Sequence, residues 1–194
     1  MNEPIRLKFS EFQQALTQSA VIALKVIQGA LGAGIIFFGV VIFVLSQQTG
    51  TWSELPDPSI LSLLQILTVA HIVLGLIMAL AAPIIFKAIV NERKVETFGT
   101  RYTGNSIGSD LSVGEKCLAV IKTGMIVRLA MFESVAFFGL IICFLAVLWG
   151  VVGSHPVYLI NAGSSLLFII YIFQTFPTKQ RIEGIFKKQF AFEY

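Results

Sequence analysis

Four long apolar runs, at about 21–46, 60–88, 121–150 and 157–176, divide the chain, with polar stretches between them and few charges inside. Each run reaches the roughly 20 residues that a helix needs to cross a hydrocarbon core about 30 Å thick. None alternates with the period of two that marks a barrel strand, and backbone groups in lipid must be satisfied within their own segment. The runs therefore predict four transmembrane helices. The first follows about twenty amphipathic residues and has no small-residue cleavage site behind it, so it reads as a retained helix and not a signal peptide. A loop at 89–120 and a tail at 177–194 complete a single domain over 1–194.

Composition agrees. With 56% hydrophobic and 13% charged residues, too little polar side chain is available to coat a water-soluble domain of this size. The expected fold is an all-α integral membrane protein with short interfacial helices at its termini.

The positive charges fix a predicted orientation. Arg6, Lys8 and Lys25 lie at the first span, Lys87, Arg93, Lys94, Arg101, Lys116, Lys122 and Arg128 around the loop between spans two and three, and Lys179, Arg181, Lys187 and Lys188 after the fourth. The loops at 47–59 and 151–156 have none. The positive-inside rule then puts both termini and the middle loop in the cytoplasm, as for a bacterial cytoplasmic (inner) membrane, and puts Trp52 and Trp149 at the outer interface. This one-sided basic enrichment suits anionic membrane lipids as partners, and nothing in it suggests nucleic acid.

A repeat is visible between spans one and three. Phe37-Phe38-Gly39-Val40-Val41-Ile42-Phe43 aligns with Phe137-Phe138-Gly139-Leu140-Ile141-Ile142-Cys143, and spans two and four both leave through a proline, Pro83 and Pro177, into polar sequence. A duplicated helical hairpin accounts for this, with chance matching of Phe, Gly and aliphatic residues as the alternative. Small residues gather in the inner half of span one, where Gly29, Gly32 and Ala33 share roughly one face and allow close helix packing, either within the chain or against another protein. Pro83 removes a backbone donor and predicts a kink in span two.

Polar residues inside the spans are the candidate functional groups. Counted from Gly124, Glu133 lies about 14 Å into span three, near the midplane. His71 reaches a similar depth counted from the outer end of span two. A Glu and a His at one depth on antiparallel neighbours can share a proton, as a static hydrogen bond or as a relay for ions. Gln65, Asn161, Ser164 and Ser165 suit interhelical hydrogen bonds. Arg128 is five residues before Glu133, about 140° around the helix, so it either snorkels to the headgroups or holds an anionic lipid head.

The run Arg128-Leu-Ala-Met-Phe-Glu133-Ser-Val-Ala-Phe-Phe-Gly139-Leu-Ile-Ile resembles the carboxylate helix of the rotary ATP synthase c subunit (proteolipid) family, over 124–148. The resemblance implies that Glu133 carries a proton or cation within an oligomeric ring.

Outside the spans, Gly-Thr-Arg-Tyr-Thr-Gly-Asn-Ser-Ile-Gly at 99–108 lacks the P-loop arrangement and reads as a flexible connection; Ser109 or Asp110 is the expected cap where span three begins early. The tail alternates Arg181, Lys187 and Lys188 with Ile182, Ile185, Phe186, Phe190 and Phe192, a pattern for a helix lying on a leaflet or docking a partner. Cys117 and Cys143 are about 39 Å apart along one helix, too far to bridge, and read as apolar packers. No metal-ligand cluster, cofactor motif or catalytic triad set accompanies them. The expectation is a non-catalytic protein without cofactor, acting as an accessory or structural subunit with other membrane subunits or copies of itself, and secondarily an ion carrier through Glu133.

Overall fold

The computed structural model describes residues 8–48, 57–97 and 111–190. Arg6, Trp52, Arg101, the 99–108 segment, Ser109, Asp110 and Phe192 lie outside them. The described chain is all helical: α1 (Phe9–Ala15), α2 (Gln18–Gln48), α3 (Pro58–Ile89), α4 (Glu92–Thr97), α5 (Val113–Leu148), α6 (Gly163–Thr175) and α7 (Lys179–Gln189), with 3-10 turns at Val151–Gly153 and Pro156–Ala162. Four stretches are long and apolar enough to cross a membrane: α2, α3, α5 and the combined segment Pro156–Thr175. This is an all-α multi-pass membrane protein.

Local chemistry sets the helix ends. Thr17 caps α2 by accepting from the Ala20 amide, and Asp57 caps α3 by accepting from the Ser59 amide. A reciprocal capping box starts α5. The Ser112 hydroxyl accepts from the Glu115 amide, and the Glu115 carboxylate accepts from the Ser112 amide and hydroxyl. The cap thus falls on Ser112, not on Ser109 or Asp110, because only Ser112 has a Glu three residues on. At the other end Gly150 adopts φ 68°, a left-handed conformation that closes α5 after Trp149. Pro83 sits inside α3 without ending it.

The fourth span is helical throughout but not α-helical throughout. Pro156–Ala162 is a 3-10 segment rising about 2.0 Å per residue, so with the 13 residues of α6 it is long enough to cross, whereas α6 alone is not.

The chain divides into two compact units. One comprises Gln28–Ala81 and Leu129–Thr175. Here α5 presents Leu129, Ala136, Leu140, Cys143 and Val147 to Ile35 and Ile42 of α2 and to Phe168 and Ile172 of α6. Another face of α5, through Ile142 and Ala146, meets Leu64 of α3 and Tyr158. The spacings of three and four residues are those of a helical face. Outward, Phe37, Phe43, Ile66, Leu76, Leu80, Leu166 and Phe173 are exposed, an apolar surface that only lipid or another membrane protein can cover.

The other unit comprises Met1–Ile27, Ala82–Arg128 and Phe176–Tyr194, and every described Lys and Arg belongs to it. Its core joins Phe12 and Leu16 of α1, Leu24 of α2, Phe86 and Val90 of α3, Val95 of α4, Cys117 and Ile121 of α5, and Ile182 and Phe186 of α7. Phe12 stacks on Phe186 with ring centroids 4.3 Å apart. Gly114 makes the approach of α1 to α5 possible, since a Cβ there would overlap the Glu11 carbonyl.

This core corrects the reading of the termini. Ile182, Phe186 and Phe190 were expected to rest on a leaflet or a partner, yet they are buried against the chain's own α1, which leaves Lys187 and Lys188 on the exposed side. The Lys187 ammonium lies 4.6 Å from the centre of the Phe9 ring. The basic and aromatic pattern is an amphipathic helix in either case, and its periodicity carries no information about what covers the apolar side.

Candidate functional site

Two polar features stand in the apolar unit that contains most of each span. The first is a closed network around His71, which is 6% exposed. His71 Nδ1 lies 2.9 Å from Asn161 Oδ1 and its Nε2 lies 3.1 Å from Ser164 Oγ. Asn161 Nδ2 donates to the Tyr158 carbonyl at 2.9 Å and to Thr68 Oγ1 at 3.1 Å, which fixes the amide orientation and leaves Oδ1 as the acceptor facing the ring. Nδ1 must then carry a proton. In the neutral imidazole Nε2 accepts from Ser164, whose single hydroxyl proton has a second acceptor in the Asn161 carbonyl at 3.0 Å. The Tyr158 hydroxyl donates to the Leu61 carbonyl, tying the 3-10 segment to α3.

Gly139 completes this corner. A Cβ there would overlap the Asn161 carbonyl oxygen and lie 2.6 Å from Ser164 Oγ and 2.8 Å from His71 Cε1, so only glycine admits the network. Its counterpart in the aligned FFG pair, Gly39, has nothing within 4 Å. The same sequence motif therefore serves two different environments.

The second feature is Glu133. It is half-buried and makes no hydrogen bond or ion pair with any described residue. His71 and Glu133 are not brought together. His71 faces α5 at Gly139 and at Phe138, whose ring it meets edge-on at 5.8 Å. Six residues separate Gly139 from Glu133, about 9 Å along α5 and about 120° around it. The expected pairing is not made, because the α5 residue opposite His71 is Gly139 and both ring nitrogens are taken by Asn161 and Ser164.

Ala130, Ser134 and Phe137 form an exposed strip on α5 beside Glu133. Ser134 donates to the Met131 carbonyl and so needs no outside partner. On α2 the small residues separate by role. Gly32 is buried against Ile172, whose side chain would stand 2.9 Å from an added Cβ, while Gly29, Ala33 and Gly34 are exposed. The expected common face is split because Gly29 and Gly32 differ by about 60° on the helix.

Of the other polar span residues, Ser165 donates to the Ala136 carbonyl at 3.0 Å, whereas Gln65 is exposed and has no described partner. Gln28 was not singled out in the sequence. It is 4% exposed and donates to the Ile172 carbonyl and to Thr175 Oγ1 at 2.8 and 3.2 Å. Its position seven residues inside the first apolar run was the available signal, since a buried amide in a span needs partners. Arg128, in the basic unit, holds its guanidinium 5.9 Å from the centre of the Phe86 ring.

The class is an all-α membrane protein in which Gln28, His71, Asn161 and Ser165 are buried with hydrogen-bond partners, while the half-buried Glu133 has none among the described residues. No protein-family model, curated protein or solved structure matches the chain.

Proposed function

We propose that the protein is a non-catalytic, multi-pass accessory or structural subunit of a larger membrane complex, held to its neighbour through the strip of α5 around Glu133. The observation that carries this is the half-buried Glu133 carboxyl with no partner among the described residues, beside exposed Ala130, Ser134 and Phe137. A carboxylate in the middle of a membrane-spanning helix costs roughly 2.5–3.5 kcal/mol on insertion scales, and a donor on a partner helix relieves that cost. Small neighbours let such a helix approach. The distribution of Lys and Arg supports a bacterial cytoplasmic membrane with both termini inside.

A photocrosslinking residue placed at the exposed Ser134 should yield a discrete protein adduct in native membranes. The same probe at exposed Leu80 should give lipid adducts alone, and Glu133→Leu should abolish the Ser134 product. Lipid adducts alone at both positions would sink the proposal.

Proton or cation translocation in a c-subunit-like oligomer is the second reading, favoured by the same unpartnered carboxyl. It is the weaker one because His71, the residue expected to share a proton with Glu133, is committed to Asn161 and Ser164. Proton flux into liposomes that disappears in Glu133→Gln would reverse the preference.

A further inference from the structure

His71 is a buried ionisable ring, and the hydroxyl beside its Nε2 has two acceptors within reach. In the neutral ring Ser164 Oγ donates to Nε2 across 3.1 Å, and the same oxygen lies 3.0 Å from the Asn161 carbonyl. A hydroxyl hydrogen turns about its C–O bond without moving a heavy atom. Once it turns to the carbonyl, Ser164 Oγ is free to accept from a protonated Nε2. On the other side of the ring Nδ1 donates to Asn161 Oδ1 at 2.9 Å in either state, because that amide is fixed by its own bonds to the Tyr158 carbonyl and Thr68 Oγ1. The charged ring therefore keeps both partners where they stand, and each bond becomes charge-assisted.

The surroundings supply oxygens and no cation. α5 faces the ring with Gly139 and Phe138. On the same helix Cys143 Sγ donates to the Tyr158 carbonyl and Glu133 lies about 120° around from Gly139. On the fourth span the Tyr158 hydroxyl donates to the Leu61 carbonyl, and before that span His155 pairs with Ser154 Oγ. Asp57 caps the start of α3, about 21 Å along the helix from His71. Every described Lys and Arg lies in the other unit. An added charge on the ring thus meets Asn161 Oδ1, Ser164 Oγ and, through Ser164, the Asn161 carbonyl, which offset its burial without opposing it.

We infer that His71 is a reversible proton-binding site, with the Ser164 hydroxyl as the element that turns over. The Nε2 lone pair takes a proton delivered by hydronium, the Ser164 hydrogen leaves Nε2 for the Asn161 carbonyl, and the new Nε2–H donates to Ser164 Oγ. No heavy-atom contact breaks, so α3 stays fastened to the fourth span while the charge of the unit rises by one. The site needs neither Glu133 nor a partner subunit.

The test follows isotope-labelled histidine by nitrogen NMR in the full-length protein in detergent micelles, across an acid titration, with His155→Gln to leave His71 as the one signal. Nδ1 should stay protonated throughout, and Nε2 should pass from acceptor to donor while the protein remains folded. Ser164→Ala leaves the charged Nε2–H without its acceptor. Its effect on the unfolding equilibrium in mixed micelles should be about tenfold greater on the acid side than on the alkaline side, the difference between a charge-assisted and a neutral hydrogen bond. Ser165→Ala removes a buried hydroxyl that bonds the Ala136 carbonyl and not the ring, and should have the same effect at both ends. Glu133→Gln should leave the Nε2 transition in place. An Nε2 that stays unprotonated until the fold is lost, a Ser164→Ala effect equal at both ends, or a transition that disappears in Glu133→Gln would each overturn the inference.

Discussion

Gly39 and Gly139 occupy equivalent places in two nearly identical stretches of sequence, yet replacing each with alanine should have opposite effects. At Gly139 the new methyl overlaps the Asn161 carbonyl and comes within 2.6 Å of Ser164 Oγ and 2.8 Å of His71 Cε1. None of these can retreat easily. The carbonyl belongs to the 3-10 backbone, and both side chains are held by the hydrogen bonds of the network. Overpacking of this kind costs about 1–3 kcal/mol, and interhelical hydrogen bonds in membranes contribute about 0.6 kcal/mol each. Removing a helical glycine returns at most about 1 kcal/mol. Gly139→Ala should therefore destabilise by about 1–3 kcal/mol, while Gly39→Ala, with nothing within 4 Å, should be neutral or stabilising by up to about 1 kcal/mol. Reversible unfolding in mixed micelles, titrated with sodium dodecyl sulfate and followed by circular dichroism, measures both variants against the parent. Equal midpoints for the two variants, or a larger loss at Gly39, would refute the account of this corner.

Two more outcomes are expected. Gly114→Ala should release α1 from α5, because the obstructing atoms are backbone atoms of Glu11 and Phe12; faster amide exchange across Phe9–Ala15, with little change in α3 and α6, would be the signature, and unchanged α1 protection would contradict it. The Ser59 amide and hydroxyl beside Asp57 hold its carboxyl below the ordinary aspartate range, so its capping contribution is fully present above that range and is lost as pH falls through the lowered value. Asp57→Asn should remove that acid-side dependence, read as amide exchange in the first turn of α3 across an acid titration, and an unaltered pH profile would argue against the cap.

The spans were legible because the bilayer imposes a length on any apolar helix, and α2, α3 and α5 match their predicted runs to within a few residues at one end or both. What lay across from each residue was not legible. His71 and Asn161 are 90 positions apart, and nothing in either run states that a 3-10 segment turns the Asn161 amide toward the ring. Depth counting could have found the level of His71, since it and Gly139 are each about eleven residues from the outer ends of their predicted runs. What a count of depth does not give is the side of the helix, and Glu133 lies about 120° around α5 from Gly139. The Ser112 capping box is legible in the sequence as Ser-x-x-Glu, the one pattern of that kind at the start of α5.

The tail shows a different limit. Alternation of basic and aromatic residues identifies an amphipathic helix, but burying its apolar side against Phe12 satisfies the hydrophobic effect as well as lipid does. The decision lay in α1, seven residues with Phe9 and Phe12 on one side, too short to announce itself as a partner.

Satisfaction of polar groups offers a sharper guide to function than depth. Gln28, His71, Asn161 and Ser165 are all nearly inaccessible, and each finds its hydrogen-bond partners inside the same unit. Those bonds hold α2, α3, α5 and the fourth span together, and they occupy both ring nitrogens of His71. Glu133 and Gln65 have no such partner among the described residues and are only partly covered. Their polar capacity is left for something outside the chain, and Glu133, on α5 beside an exposed strip of Ala130, Ser134 and Phe137, has the larger cost to relieve. The carboxyl that the fold leaves unused is for that reason the residue at which a partner subunit should be sought.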